Sequence, residues 1–137
     1  MQREIKPIDE KLKWDIIINI EPIPQERPRF TVCYKKGRAC GRVYETQKMK
    51  EYKKLIGWEI KKQFTRPFFS KDIPVGVHIE FWLNDTRADI DNLAKVILDV
   101  MQGIVYENDR QVEYLIISKK KDKNSRINIF VWKETNI

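Results

Sequence analysis

The chain is poor in the residues that build soft-metal and nucleophilic sites. Among 137 residues it has one histidine and two cysteines. A structural zinc site uses about four nitrogen or sulfur ligands, and a Ser-His-Asp hydrolase needs a histidine beside its serine. The single His78 lies in the alternating segment VGVHIEFWL, where it should point away from Val77 and Ile79. Carboxylates are therefore the metal ligands that this sequence has available.

Long apolar runs are also absent. No segment approaches the roughly 20 apolar residues that a membrane-spanning helix requires. The first residues, MQREIKPIDEKLKW, are charged where an export signal would carry an apolar stretch. Hydrophobic residues make up 42% and charged residues 34% of the chain, which is typical of a globular protein. We therefore expect one cytoplasmic domain over residues 1–137.

Positive charge is concentrated in one segment. The chain has a net charge of +7, and residues 27–50 hold eight basic residues against one glutamate, which equals the whole excess. Residues 85–113 hold seven acidic residues against three basic ones. One interpretation is a solvated surface with uneven charge. The other is a polyanion-binding arm beside a metal site, because phosphates attract Lys and Arg while divalent cations need clustered carboxylates.

Changes of hydrophobic period divide the chain into strands and helices. Strands are predicted over residues 14–20, 75–83, 112–118 and 127–132; a hairpin or ordered basic loop is predicted over 29–45, around Lys36 and Gly37; and helices are predicted over 47–64 and 90–102. The first helix should be capped by Thr46 and the second ended by Gly103. We expect an α/β (α+β) fold, with a small mixed sheet of about four strands, a basic hairpin or loop, and two main helices on one face.

The first predicted helix should pack on the sheet through an apolar stripe. Its members recur at helical spacing: Met49, Tyr52, Leu55, Ile56, Ile60 and Phe64.

The second helix carries all its polar residues on one side. At about 100° per residue, a single arc contains Asp91, Asn92, Lys95, Asp99 and Gln102. Apolar residues fill the rest of the circumference. The helix should therefore be mostly buried, with a polar stripe that is either a solvated face or the wall of a site.

Two residues near the start of this helix have competing interpretations. Asp89 precedes the first turn and could serve either as the helix N-cap or as a metal ligand. Lys95 lies four residues after Asp91 and could form an ordinary ion pair worth a few tenths of a kcal/mol. Alternatively, Lys95 could hold the Asp91 carboxylate, orient a phosphate or stabilise a transition state.

A second acidic cluster, YENDRQV, contains Asp109 just before the strand that begins at Val112. We expect the short loop after the helix to return Asp109 to the neighbourhood of Asp89 and Asp91. Three clustered carboxylates repel one another unless a cation is bound. Magnesium prefers such oxygen ligands, and it both activates water and relieves negative charge during phosphodiester hydrolysis.

The string ADIDNLAKVILDVMQGIVYENDRQV resembles the signature of RusA-type crossover-junction endodeoxyribonucleases. That signature is D-x-D-N-x-x-K, then D, then D-D-x-Q-V. The earlier PIPQERPRF, followed by a basic loop, is also similar to the start of that family. A D-x-D motif alone is weak, but the ordered combination is specific.

The resemblance implies a homodimer that binds four-way (Holliday) junctions and makes paired symmetric nicks with Mg²⁺, or with Mn²⁺ in its place. It implies that Asp89, Asp91 and Asp109 bind the metal and that Lys95 is the essential lysine. Asp99 falls on a further acidic position, and Asn108 stands where the family commonly has aspartate. Residues that match the family's basic, DNA-binding region are Arg27, Arg29, Lys35, Lys36 and Arg38. The alternatives are a non-catalytic junction-binding protein and a nuclease for another branched nucleic acid.

Overall fold

The computed structural model describes residues 13–26, 29–35 and 37–134. Its elements, in chain order, are β1 (Lys13–Ile18), β2 (Arg29–Lys35), β3 (Arg38–Tyr44), α1 (Gln47–Gln63), β4 (Val75–Leu83), α2 (Ile90–Met101), a short 3-10 helix (Asp109–Gln111), β5 (Val112–Lys121) and β6 (Arg126–Lys133). The predicted fold class, a mixed four-stranded sheet with two helices, is confirmed.

The four-stranded sheet has the order β1-β6-β4-β5. Strand β6 pairs antiparallel with both β1 and β4, whereas β4 and β5 are parallel, with Val75 opposite Val112. Parallel neighbours need a crossover connection, and α2 supplies it. The helix therefore runs back along the sheet, from the end of β4 to the start of β5.

One face of the sheet carries the hydrophobic core. Residues of β4 alternate along the strand, and Val77 and Ile79 are fully buried in the same cluster as Ile56 of α1 and Ile97 of α2. His78 faces the opposite side, as predicted, and its ring lies 5.3 Å from that of Phe130. Both helices thus cover one face, and among the described residues no helix covers the other.

Helix α1 begins as predicted, because the Thr46 side chain accepts a hydrogen bond of 3.2 Å from the Met49 backbone N–H. The predicted apolar stripe is right except at Leu55, which is 56% exposed. Leu55 lies about 100° around the helix from Ile56 and so cannot share its narrow contact with the sheet. Within the ranges described above, neither helix is long and apolar enough to cross a membrane.

Strands β2 and β3 form a separate two-stranded sheet, which confirms the predicted hairpin. We call residues 29–44 the basic hairpin. Its turn uses Gly37, whose φ of 76° suits a residue without Cβ. Of the residues predicted to bind DNA, Arg27 and Lys36 lie outside the described residues, as do the side chains of Arg29, Lys35 and Arg38.

Candidate functional site

The start of α2 leaves an acidic side chain without a structural role. Asp89 occupies the N-cap position with an extended backbone, and its carbonyl accepts the Leu93 N–H at 3.1 Å. Its carboxylate makes no capping hydrogen bond and the residue is exposed. The N-cap interpretation therefore accounts for the Asp89 backbone but not for its side chain, which is available to another partner.

The predicted polar stripe of α2 is confirmed. Asp91 and Lys95 are exposed and Asp99 is half-buried. The opposite side of the helix is buried through Leu93, Ala94, Val96, Ile97 and Met101. Within the described part of the chain, Asp91 and Lys95 do not form the ordinary ion pair of neighbouring helical turns. Both side chains thus face solvent on one surface.

The loop at residues 21–26 is held against both helices. The Gln25 backbone N–H donates to the Asn92 carbonyl of α2 at 3.0 Å. The Thr46 hydroxyl, at the start of α1, donates to the Glu26 carboxylate at 2.6 Å. The basic hairpin follows this loop in the chain. Its first strand is therefore preceded by a segment that is fastened beside the polar stripe.

The other end of the basic hairpin is also fastened near the stripe, through Lys53 of α1. The Lys53 ammonium donates to the Glu45 carboxylate, and its Nζ lies 3.9 Å from an Asp99 carboxylate oxygen. The Lys53 side chain is only 19% exposed, and its hydrogen bond lowers the pKa of Glu45 below 4.5. Sequence reasoning missed Lys53, which is one of several lysines in α1, because only the folded chain sets it between two carboxylates.

We expect Lys53→Met to lower the free energy of unfolding at pH 7 by up to about 1 kcal/mol, because a partly exposed ion pair contributes little more than that. The folded-state pKa of Glu45 is lowered, so this contribution is complete above the unfolded value of 4.5 and is lost as the pH falls below it. Urea unfolding at pH 7 and pH 3 measures the difference. The exposed Lys54→Met is the matched control. Equal stability of Lys53→Met and wild type at pH 7 would contradict the assignment.

A second lysine that sequence reasoning missed is Lys119 of β5. Its ammonium donates to the Ala88 carbonyl at 2.7 Å, next to Asp89. This contact ties the loop before α2 to the end of β5. It also puts a cation at the positive end of a helix dipole, where an anion is favoured.

The loop at the other end of α2 is organised by the side chains of Asn108 and Gln111. The Asn108 side chain accepts the Arg110 N–H at 2.9 Å and caps the short 3-10 helix. Gln111 is 5% exposed; its amide donates to three backbone carbonyls and its oxygen accepts two backbone N–H groups. Both residues therefore stabilise the loop that carries Asp109.

Asp109 begins this 3-10 helix and is exposed. Its charge acts on the buried Tyr106, whose hydroxyl donates to the Leu98 carbonyl at 2.6 Å. Burial raises the pKa of Tyr106, and the negative charges of Asp109 and Asp99 raise it further. Asp109 and Asp99 thus both lie near the Tyr106 hydroxyl, which is bonded to the C-terminal half of α2.

The fold separates Asp109 from the acidic start of α2. The twelve residues of α2 span about 18 Å between its two ends. The loop that follows leads to the start of β5, not back to Asp89 and Asp91, because a parallel crossover ends where the preceding strand began. Among the described residues, no three His, Cys, Asp or Glu side chains are grouped closely enough to hold a metal ion. One copy of the chain therefore does not offer the three aspartates to one ion, and their role as ligands stays a prediction.

A comparison with protein-family models matches residues 19–132 to the family described as Endodeoxyribonuclease RusA. The matched region begins before the loop at 21–26 and includes the basic hairpin, both helices and the loop of Asp109. A comparison with curated proteins found no match. The family match covers most of the chain, and the chain therefore belongs to the RusA family of endodeoxyribonucleases.

Proposed function

We propose that the protein is a structure-selective endonuclease that resolves Holliday junctions by paired symmetric nicks, in DNA recombination and repair in the cytoplasm. The observation that carries the proposal is that the segments before and after the basic hairpin are both fastened to the surface that bears the polar stripe of α2. The Gln25–Asn92 hydrogen bond holds the segment before the hairpin, and Lys53 links Glu45, directly after the hairpin, to Asp99. A DNA backbone bound along the hairpin would be delivered to that surface.

The residues have different proposed tasks. Five basic residues in or just before the basic hairpin bind phosphates, and that interaction weakens with salt. They are Arg27, Arg29, Lys35, Lys36 and Arg38. Lys95, exposed on the same stripe as Asp91, meets the scissile phosphate. We propose Asp89, Asp91 and Asp109 as ligands of Mg²⁺, or of Mn²⁺ in its place, the ion that supplies charge neutralisation to phosphodiester hydrolysis. Paired nicks also call for two copies, since a junction has two symmetry-related strands.

The direct test is Asp91→Asn on a synthetic four-way junction in Mg²⁺. We expect cleavage to fall by at least about 100-fold while junction binding is retained, because the variant removes one charge but no basic side chain. Asp15→Asn, on an exposed position of β1, is the matched control and should cleave normally. Cleavage by Asp91→Asn at the wild-type rate would overturn the assignment.

Substrate competition tests the junction selectivity separately. Four-way junction, linear duplex, flap and RNA substrates are compared at one salt concentration, because affinities at different salt are not comparable. We expect the junction to be cut in preference to the others. Faster cutting of the flap or the RNA would support nuclease activity but show that the junction is not the preferred substrate. Binding of the junction without nicking in either Mg²⁺ or Mn²⁺ would favour a non-catalytic junction-binding protein.

A further inference from the structure

A second cluster of positive charge lies between β5 and β6, outside the basic hairpin. Residues 119–126, which we call the lysine turn, hold four lysines and one arginine against a single aspartate. Like charges this close repel one another, so the cluster costs stability unless the fold or a ligand offsets it. The fold itself offsets only part of the charge.

Two of the five cations are neutralised within the fold. The Lys120 ammonium lies 2.9 Å from the Glu80 carboxylate, and the Arg126 guanidinium donates to the Asp122 carboxylate at 3.2 Å. Both cations also lie over the Trp82 ring, at 4.9 and 4.3 Å from its centroid. These contacts hold Lys120 and Arg126 against the face of the sheet opposite the helices.

The backbone of the lysine turn is ordered by Asp122. Its N–H donates to the Leu83 carbonyl at 2.9 Å, and its carboxylate accepts the Asn124 N–H at 3.0 Å. The hydrogen bonds from Asn124 and Arg126 lower the pKa of Asp122 below its usual value. The lysines on either side of Asp122 are therefore carried by a fixed backbone, which lowers the entropic cost of binding a ligand there.

Lys121 and Lys123 are the two cations that the fold leaves without an acidic partner. Both are exposed, and within the described ranges neither forms an ion pair. Lys121 is paired in the sheet with Leu83, which is buried under the helices, and paired residues point to the same face. A hydrogen bond from Arg87 lowers the pKa of Asp85 to about 2, with a smaller contribution from the charge of Lys121. Lys121 thus lies on the helix-bearing side, near the loop that leads into α2.

Two segments from opposite edges of the sheet meet the start of α2. From the β5 edge, Lys119 donates to the Ala88 carbonyl at 2.7 Å, next to Asp89. From the β1 edge, the loop that leads to the basic hairpin bonds to α2 through Gln25 and Asn92. The lysine turn and the basic hairpin therefore approach the acidic start of α2 from different sides.

The free ammonium groups suit the phosphates of a DNA backbone. A lysine binds phosphate as a point charge, and a bound polyanion relieves the repulsion within the lysine turn. Lys121 is two strand residues beyond Lys119, a span of about 7 Å. Successive phosphates of one DNA strand advance about 3.4 Å along the duplex axis. A phosphate at Lys121 would thus lie within about three nucleotides of one beside Asp89.

We propose that the lysine turn is a second surface that binds the DNA backbone, and that Lys121 and Lys123 hold phosphates of the cut strand near the scissile one. The inference rests on the proposed function, which supplies the cut strand. The basic hairpin and the lysine turn then contact the DNA on two sides of the acidic start of α2. Lys119 has a different task, because its bond to Ala88 fixes the lysine turn against the loop that carries Asp89.

The surface is tested by binding of a four-way junction in EDTA, where the DNA stays uncut. Wild type, Lys121→Ala, Lys123→Ala and the double variant are compared by fluorescence anisotropy over a range of salt concentrations. Each lost phosphate contact should reduce the slope of log affinity against log salt by about one, so the double variant should lose about two. At physiological salt its affinity should fall about tenfold, as expected for two exposed ion pairs.

The matched control removes two lysines at the other end of the sheet. Lys61→Ala combined with Lys62→Ala changes the net charge equally, and both residues are exposed in the last turn of α1. The adjoining Phe64 packs against Trp14, near the start of β1. We expect the control to keep the wild-type salt slope. A cooperative melting transition identifies the folded variants, and the single variants serve if the double variant does not fold. A lysine-turn variant with the slope and affinity of the control would overturn the inference.

The position on the DNA is tested by neutralising single phosphates. Methylphosphonate replaces one phosphate at a time in the cut strand, up to about five nucleotides on either side of the wild-type cut. At least one replacement within about three nucleotides of the cut should weaken binding by wild type and leave binding by the double variant unchanged. Replacements that all weaken both proteins equally would show that the lysine turn does not contact this strand, which refutes the inference.

Failure of this inference can be told from failure of the proposed function. A wild type that binds junctions but does not cut them removes the proposed function, while the salt slope still tests the lysine turn. A wild type that cuts junctions, with a double variant that matches the control, removes only the second binding surface.

Discussion

We expect Gly76→Ala to destabilise the protein by about 3 kcal/mol, the upper range for overpacking a core. A Cβ at this position of β4 would lie 2.1 Å from Cε2 of Trp132, on the neighbouring strand β6. The indole cannot simply turn away. It is 7% exposed, and its Nε1 donates to the Glu134 carboxylate at 2.8 Å. Relief of the clash would therefore break that hydrogen bond or shift two central strands.

Gly57→Ala is the matched control for Gly76→Ala, because the same methyl group is added in a different setting. Gly57 lies inside α1, and a Cβ there would meet Val100 of α2 at 3.5 Å, an ordinary packing distance. Alanine also has the higher helix propensity, so we expect a stabilisation of up to about 1 kcal/mol. Urea unfolding of both variants measures the contrast. A Gly76→Ala protein as stable as wild type would show that the Trp132 side chain does not pack closely against the backbone of Gly76.

We expect Gln111→Ala to cost about 3 kcal/mol, because it leaves several buried backbone groups without partners at once. The Gln111 amide nitrogen donates to the carbonyls of Phe69, Ser70 and Ile73 at 3.2, 2.6 and 3.0 Å. Its oxygen accepts the N–H groups of Glu107 and Asn108 at 2.8 and 2.9 Å. One side chain thus joins the segment before β4 to the loop before β5.

A second variant distinguishes the contribution of the size of the Gln111 side chain from the contribution of its hydrogen bonds. Gln111→Glu keeps the shape but cannot donate to three carbonyls when ionised, so it should be at least as unstable as Gln111→Ala at pH 7. The exposed Gln47→Ala is the control and should change stability by less than about 0.5 kcal/mol. Equal unfolding midpoints for Gln111→Glu and wild type would contradict the role given to this network.

The elements of the fold were predictable because each has a strong local signal. Thr46 precedes a helical period, Gly37 interrupts two β-branched arms, and β4 alternates along its whole length. The orientation of His78 followed from that alternation alone. The prediction that Leu55 is buried was wrong, because it is 56% exposed. An apolar residue at the margin of a helical stripe is buried only if the sheet extends far enough to contact it. The helix sequence alone does not show where the sheet ends.

The candidate site was predictable only in part, because its residues are joined by contacts between distant segments. The polar stripe with Asp91 and Lys95 is a property of one helix, so its period revealed it. By contrast, Lys53 contacts Asp99 and Lys119 donates to the Ala88 carbonyl, and both partners lie on other parts of the chain. The place of Asp109 depends on whether β5 runs parallel or antiparallel to β4, which no local pattern decides.

The strand order also determines when the sheet can be completed during synthesis of the chain. Strand β6 is the last strand of the described chain, yet it lies between β1 and β4. Until β6 emerges from the ribosome, β1 has no partner and the helices have only the narrow β4–β5 pair to pack on. A nascent chain therefore remains without a complete four-stranded sheet until β6 has been made. Partial synthesis products would then carry the basic hairpin without the complete sheet.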